Sequence, residues 1–546
     1  MKKQNKKSED GLGLLSIVGI GFNFIAGITC ATAFKKLVGD ATPGEGANVG
    51  LNLLGIDVLE GTIAFICAGS FAKLVRVHPT ANGGLSQYAR TGFGKYGGLV
   101  GGLLNYMSLP LIVSTMVVST LKSNCGDGSI NLVAQGGDGS ELYLDLIGLA
   151  VFLISVGIVF LGVKKYKYFS NIVGVLGGIL MIGIIIFAIG AFAFNGMSSI
   201  NFLAKNAPLS NVSGKSFANT FVAIFFSFAG IETFITSGQT IKDRAKNMPI
   251  GISLIMIFVT AFYVIFTFLV IGACTLSETT DFGSNGAISI FGTGDIKFDT
   301  AGNFQNAGAG LVIILTLVIR FNSLVNINMF GGLTLEPLAK QGFVSKRIAE
   351  QSEKTGLPGR ALLITALVYL ITIILFLFIP DIIHGVTGDP SPFTYAILAS
   401  VSSIVMISIY VLSIATCLKQ YFTKKMKLNI VEVIAFILVL GFMGFLIVMY
   451  FGTEIVDNYA AGTTQTIISA TIQLIFILSI VATSFGLFYG FHKKYLAELQ
   501  QNDKATYQEI IDYEKETYRL VEPQDGGVFH HKEQKNQKLK EGIEEN

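Results

Sequence analysis

Two charged side chains stand inside stretches that are otherwise almost free of charge. Glu232 follows Gly230 in "FFSFAGIET", and Arg320 sits near the centre of "GAGLVIILTLVIRFNSLVNINMF". Insertion scales price a central Arg or carboxylate in a bilayer at roughly 2.5–3.5 kcal/mol, so such groups face an interior or a cavity and mark function. Arginine keeps its proton in proteins. Arg320 can therefore anchor a carboxylate or stand in for a bound cation, whereas Glu232 can carry a proton or meet an amine. A structural Glu232–Arg320 ion pair locking two helices is the plainer reading, and a pair gated by a bound ligand the sharper one.

The backbone offers chemistry of its own. "GIGFNFIAGIT", residues 19–29, carries three glycines and an asparagine where a helix in hydrocarbon should be most regular. Its "FIAGIT" (Phe24 to Thr29) is echoed by "FAGIET" (Phe228 to Thr233), five apolar runs later. Unwinding a helix at such a step leaves N–H and C=O groups that are costly in hydrocarbon unless a ligand or water meets them. Free N–H groups at a half-helix N-terminus suit a carboxylate, and free carbonyls at a C-terminus suit an ammonium. A zwitterion carries both. The bland alternative, glycines that let helices pack closely, is the reading for Gly97 with Gly101, Gly98 with Gly102, and Gly174 with Gly178. Asp57 and Glu60, at the outer end of the second run, are expected to be mouth residues.

The elements that must hold these groups follow from composition. The chain has 546 residues, 51% hydrophobic and 14% charged, with mean hydropathy +0.62. A soluble chain is closer to a quarter charged, so the fold class expected is an all-α integral membrane protein. Runs of spanning length fall near 11–34, 54–72, 97–121, 142–163, 171–194, 216–238, 250–274, 306–335, 361–379, 393–417, 431–452 and 464–491. Lys and Arg concentrate in alternate connecting segments (Lys73, Arg76, Arg90 and Lys95 in one, Lys242, Arg244 and Lys246 in another), while the segments between lean acidic. That is the positive-inside pattern, and it predicts twelve transmembrane helices with both termini cytoplasmic. The paired glycine interruptions divide the chain into a cytoplasmic segment 1–10, two inverted five-helix units at 11–194 and 216–417, two extra helices within 431–491, and a polar cytoplasmic tail 492–546. In that tail "YLAELQQNDKATYQEIIDYEKETYRL" is expected to form an amphipathic helix, and the stretch from Gly526 onward, with His530 and His531, to stay disordered. "MKKQNKK" before an apolar run imitates a signal peptide, but the charge-free stretch after it is too long for one, and no cleavage is expected. The five cysteines (Cys30, Cys67, Cys125, Cys274, Cys417) show no metal-ligand or disulfide spacing and read as small buried hydrophobes.

The motifs resemble those of the amino acid–polyamine–organocation permeases over roughly residues 11–420. "IGFNFIAGI" looks like that family's first-helix I-G-x-x-x-G-[ST]-G-I, with Ile25 in place of a glycine. Pro79, Gly83, Gly84, Tyr88, Phe93 and Gly94 fit its second and third helices, while Lys73 replaces a usual Glu. Phe226, Phe228, Gly230, Glu232 and Pro249 match its sixth-helix pattern, where Thr240 stands for a second Glu and Arg244 for a proline. "LAKQGFVSK" (338–346) is similar to L-A-R-D-G-x-x-P-K, with Ser345 for Pro, and "TGLPGRALLI" to the entry of the ninth helix. The resemblance implies a leucine-transporter-like fold and a secondary transporter of the plasma membrane. Asn23, Ile25, Ala26, Gly27, Phe226, Ser227, Phe228, Ala229, Gly230 and Glu232 would then bind substrate. Among them the backbone around Ala26 and Gly27 would hold a carboxylate, the carbonyls from Phe228 to Gly230 an amine, and Phe226 would close the pocket. Glu232, Arg320 and Phe226 would serve in coupling and gating.

The expected substrate is an amino acid, with a coupling proton or exchange as the driving arrangement. A polyamine or organic-cation carrier of the same fold, and a nutrient sensor that signals through its tail, remain alternatives. No cofactor, metal, enzymatic activity or nucleic-acid partner is expected: there is no phosphate-binding G-x-x-x-x-G-K-[ST] and no catalytic set at a common depth.

Overall fold

The computed structural model describes residues 13–25, 52–78, 84–121, 140–194, 217–218, 221–222, 225–228, 230–235, 241–273, 303–352, 355–379, 381–382 and 395–519. Apolar runs become helices because hydrocarbon leaves backbone groups no partner but their own chain. In order they are α1 (Leu14–Ile25), α2 (Asn52–Val77), α3 (Leu85–Leu121), α4 (Ser140–Phe160) and α5 (Val163–Phe194). Then comes a 3-10 turn (Phe226–Phe228) with the short α6 (Ile231–Phe234), followed by α7 (Arg244–Ala273), α8 (Asn303–Lys340), α9 (Gly359–Ile373) and α10 (Tyr395–Phe422). The last are α11 (Ile430–Tyr450), α12 (Thr464–Phe485), α13 (Lys493–Asn502) and α14 (Lys504–Arg519). Eight of the described helical segments are long and apolar enough to cross a membrane, and Asp145–Phe160 is a shorter apolar one.

The most extensive packing joins α3 to α10 and α2 to α7, with α1 laid on α7 and α8 between α3, α5 and α9. Glycine makes the α1–α7 contact possible. A Cβ on Gly21 would stand 2.3 Å from Ile255 Cδ1, and one on Gly251 would stand 2.6 Å from Ile17 Cγ2. Gly97, Gly98, Gly101 and Gly102 are likewise crowded by Phe93, Ser86, Leu85 and Leu338, as close packing requires. Gly178 is not: a Cβ there meets nothing within 4 Å.

Two regions differ from the sequence expectation. The basic segment before the third run is itself helical from Leu85, and Gly94, at φ 75°, breaks α3 between that segment and the long apolar part. The tail forms not one helix but two, separated at Asp503, whose carboxylate accepts the Thr506 backbone N–H at 3.0 Å and caps α14. These two helices make a collar over the basic end of the bundle. Arg90 Nη2 lies 2.8 Å from Glu514, Lys95 Nζ lies 2.9 Å from the same carboxylate, and Gln87 donates to Tyr513 Oη at 2.7 Å. Lys346 pairs with Glu509, and Ile510 is fully buried beneath the collar. Lys73, the departure from the family pattern, pairs with Glu432 at 2.8 Å and ties α2 to the first turn of α11.

Candidate functional site

The sixth apolar run is interrupted near its middle. Phe226–Phe228 is a 3-10 turn, Gly230 has φ 124°, and a regular turn resumes at Ile231. Positive φ of this kind is open to glycine and costly for other residues. The interruption leaves the Gly230 N–H outside a helical ladder, and Glu232 answers it: the amide donates to Oε1 at 2.9 Å and to Oε2 at 3.1 Å. Oε2 also accepts the Tyr410 hydroxyl of α10 at 2.9 Å. Asn105 of α3 reaches the Glu232 carbonyl at 3.5 Å. Glu232 is thus a buried cap of its own helix break, held from α10.

Opposite it, the Tyr263 hydroxyl of α7 donates toward the Ile25 carbonyl, 3.1 Å away at the end of α1, and the Ser227 carbonyl, 2.9 Å away. The first and sixth segments therefore meet on one phenol. Ser227 itself is buried, and among the described residues its Oγ has no hydrogen-bond partner. Aromatic rings wall the crossing: Phe228 lies edge-on to Tyr263 with centroids 5.2 Å apart, and Phe225 edge-on to Tyr410 at 5.8 Å.

Of the residues singled out from sequence, Ile25, Ser227, Phe228, Gly230 and Glu232 come together here. Ala26, Gly27 and Ala229 lie outside the described residues, as do the side chains of Asn23 and Phe226. Arg320 is buried in α8, as expected for an intramembrane charge, but forms no ion pair with Glu232, whose oxygens are taken by Gly230 and Tyr410. The locking pair is not formed. Asp57 and Glu60 are not mouth residues either. They are buried, with Asp57 hydrogen-bonded to Thr267 of α7, because their face of α2 turns toward α7.

Sequence reading missed the residues that arrive from other helices. Tyr263, Tyr410 and Asn105 are single polar groups in apolar runs, a signal that could have been used. A polar seam between α5 and α8 was also missed: Tyr166 donates to Asn326 at 2.6 Å, and Ser170 lies within 3.4 Å of Asn322 and Asn326. The four-residue step from Asn322 to Asn326 puts both amides on one helix face, and that spacing was visible.

A bundle of membrane-length helices with a glycine-broken sixth segment meeting the first at a buried polar crossing defines a multi-pass transport-type membrane protein. The sequence pattern of the amino acid permeases matches residues 12–490, and the chain belongs to that family, within the amino acid–polyamine–organocation superfamily and in the plasma membrane. It is 22% identical over 313 residues to an uncharacterized amino acid permease, YecA, of Bacillus subtilis (strain 168), covering 57% of this chain and 66% of that protein. It is 23% identical over 402 residues to the arginine/ornithine antiporter ArcD1 of Lactococcus lactis subsp. cremoris (strain MG1363), covering 70% of this chain and 71% of that one.

Proposed function

We propose that the protein is a secondary active transporter that moves an amino acid across the plasma membrane by alternating access. On this reading it has twelve spans, the sixth built around the 3-10 turn and α6, with two inverted five-helix units and both termini in the cytoplasm. The observation that carries the proposal is the crossing itself: two carbonyls from two segments, a buried unpartnered Ser227 hydroxyl and a carboxylate-capped break at Gly230. Carbonyls suit the substrate's ammonium, and the backbone around Ala26 and Gly27 would receive its carboxylate. Phe226 would close the pocket, and Arg320 would occupy the place of a coupling cation. Glu232 is the proposed proton carrier, since protonating it would remove the charge that strengthens its bonds from the Gly230 amide and Tyr410 and turn one of its oxygens into a donor. Exchange of one amino acid for another is the second coupling arrangement, favoured by the antiporter among the relatives.

Counterflow uptake by purified protein in liposomes tests this, with the twenty standard amino acids and ornithine as labelled probes, with and without sodium, across pH. Saturable uptake driven by internal unlabelled amino acid is the expected result. Uptake of polyamines that amino acids do not compete for would move the cargo to the organic-cation class. No uptake of any probe would overturn the carrier reading.

A further inference from the structure

Tyr263 is 1% exposed, and its oxygen lies within 3.1 Å of two carbonyl oxygens on two different segments. A phenol has a single proton. It can donate fully to the Ile25 carbonyl or to the Ser227 carbonyl at any moment, not to both. Ser227 Oγ, in the same turn, is buried without a hydrogen-bond partner among the described residues, a condition that few buried polar atoms in native proteins show. Two carbonyls and the two acceptor sites of the Ser227 hydroxyl face only two hydroxyl protons, those of Tyr263 and Ser227, so acceptors outnumber donors among these groups. An ammonium brings three donors and no acceptor, which is the deficit this arrangement has.

We infer that Tyr263 is a positioning residue for the ammonium group of the substrate: the ammonium takes over one of the two shared carbonyls, and the phenol keeps the other. The inference rests on the amino acid reading above and adds to it the α7 residue that reads the amine. It also gives α7 a role in occupancy. In the empty state the phenol ties α1 and the 3-10 turn together, and in the loaded state it holds one of them while the ligand holds the other. A ligand with a carboxylate but no amine leaves the shared bond as it is.

The test uses the full chain in liposomes and the amino acid with the strongest wild-type counterflow in the panel. Two competitors are compared, that amino acid unlabelled and its des-amino analogue with the same side chain and carboxylate. Tyr263→Phe keeps the ring against Phe228 and removes the hydroxyl. Apparent affinity for the amino acid is expected to fall about five- to tenfold, the size of the one neutral phenol–carbonyl hydrogen bond that holds the loaded crossing together, and affinity for the des-amino analogue to change by less than about twofold. Equal weakening of both, or no change in either, overturns the inference. Should Tyr263→Phe fail to fold, 3-fluorotyrosine at position 263 supplies a second readout. Its fluorine resonance is expected to move with the amino acid and not with the analogue, and a resonance that both ligands move alike overturns the inference. If the wild type counterflows no amino acid, the transport reading fails and takes this one with it. A working wild type with unaltered discrimination in Tyr263→Phe sinks this one alone.

Discussion

The crossing of α1, α6 and α7 and the collar made by α13 and α14 both bury polar groups, and they satisfy them in opposite ways. In the collar, formal charge meets formal charge. The Arg90 side chain is fully buried, with Glu514 2.8 Å from Nη2 and the side-chain Oε1 of Gln341 2.9 Å from Nη1, while Lys95 shares the same carboxylate. The Arg90–Glu514 contact is close but not aligned as a hydrogen bond, so its attraction is mainly Coulombic. In the crossing, one phenolic proton serves two carbonyls and a serine hydroxyl has no partner. Buried charges that have found each other are costly to separate. Dipoles that share a proton can exchange it for a ligand's at little cost. The collar is built to stay, and the crossing is built to change partners.

Breaking the collar should give the largest effect. Arg90→Ala leaves Glu514 with the more exposed Lys95 as its partner, and the cost approaches that of breaking a buried pair, about 3–5 kcal/mol, only as far as Lys95 fails to compensate. The collar is expected to detach, seen as rapid proteolysis within 493–519, while counterflow retains most of its rate. Loss of counterflow along with the collar would mean that the two regions are coupled, and the contrast drawn here would be wrong. Gly230→Ala acts at the other region. Forcing a Cβ onto φ 124° costs about 1–3 kcal/mol, and counterflow should fall to a small fraction while tail proteolysis stays slow. An unaffected rate in Gly230→Ala would show that the break plays no part in transport.

How much of this was legible in the sequence depends on the range of the interaction. The apolar runs at 54–72, 361–379 and 431–452 fall within or on the observed helices, because burial in lipid is a property of each segment taken alone. The break at Gly230 was legible too, since glycine beside a buried acid is a local signature. What could not be read were partners set by helix packing. Tyr410 lies 178 residues from Glu232, and Tyr263 lies 238 residues from Ile25. Nothing in one sequence says that those faces meet. Asp57 and Glu60 were misplaced for the same reason: their depth was plain, but their direction is fixed by α7. The tail was read as amphipathic, yet its division at Asp503 depends on a capping bond that one-helix periodicity conceals.

Glu232 offers a finer test within the crossing. Glu232→Gln keeps the shape and replaces one acceptor oxygen with a donor, so the arrangement that receives both the Gly230 amide and Tyr410 is lost. A reduction of roughly tenfold in counterflow follows from weakening one charge-assisted bond. The pH profile of uptake should flatten as well. If the profile of Glu232→Gln matches the wild type, Glu232 is a structural cap and the coupling proton binds elsewhere.

The smallest effect belongs to the hinge of the collar. Asp503 is exposed, and its carboxyl is held below its ordinary value of 3.8, first by the Thr506 backbone N–H and then by the Thr506 side chain. The depressed value fixes the sign. The cap contributes fully above the ordinary carboxylate range and is lost as pH falls through the lower folded-state value, so α14 should begin to fray only in strong acid. Asp503→Ala removes the cap at every pH, whereas Asp503→Asn retains an acceptor for the same amide. Hydrogen exchange at 504–507 should quicken modestly in the Ala variant and hardly at all in the Asn variant, with the crossing unchanged in both. If exchange around Gly230 quickened in the Ala variant, a cap at the edge of the collar would be felt at the centre of the bundle, and the separation between the two regions would have to be given up.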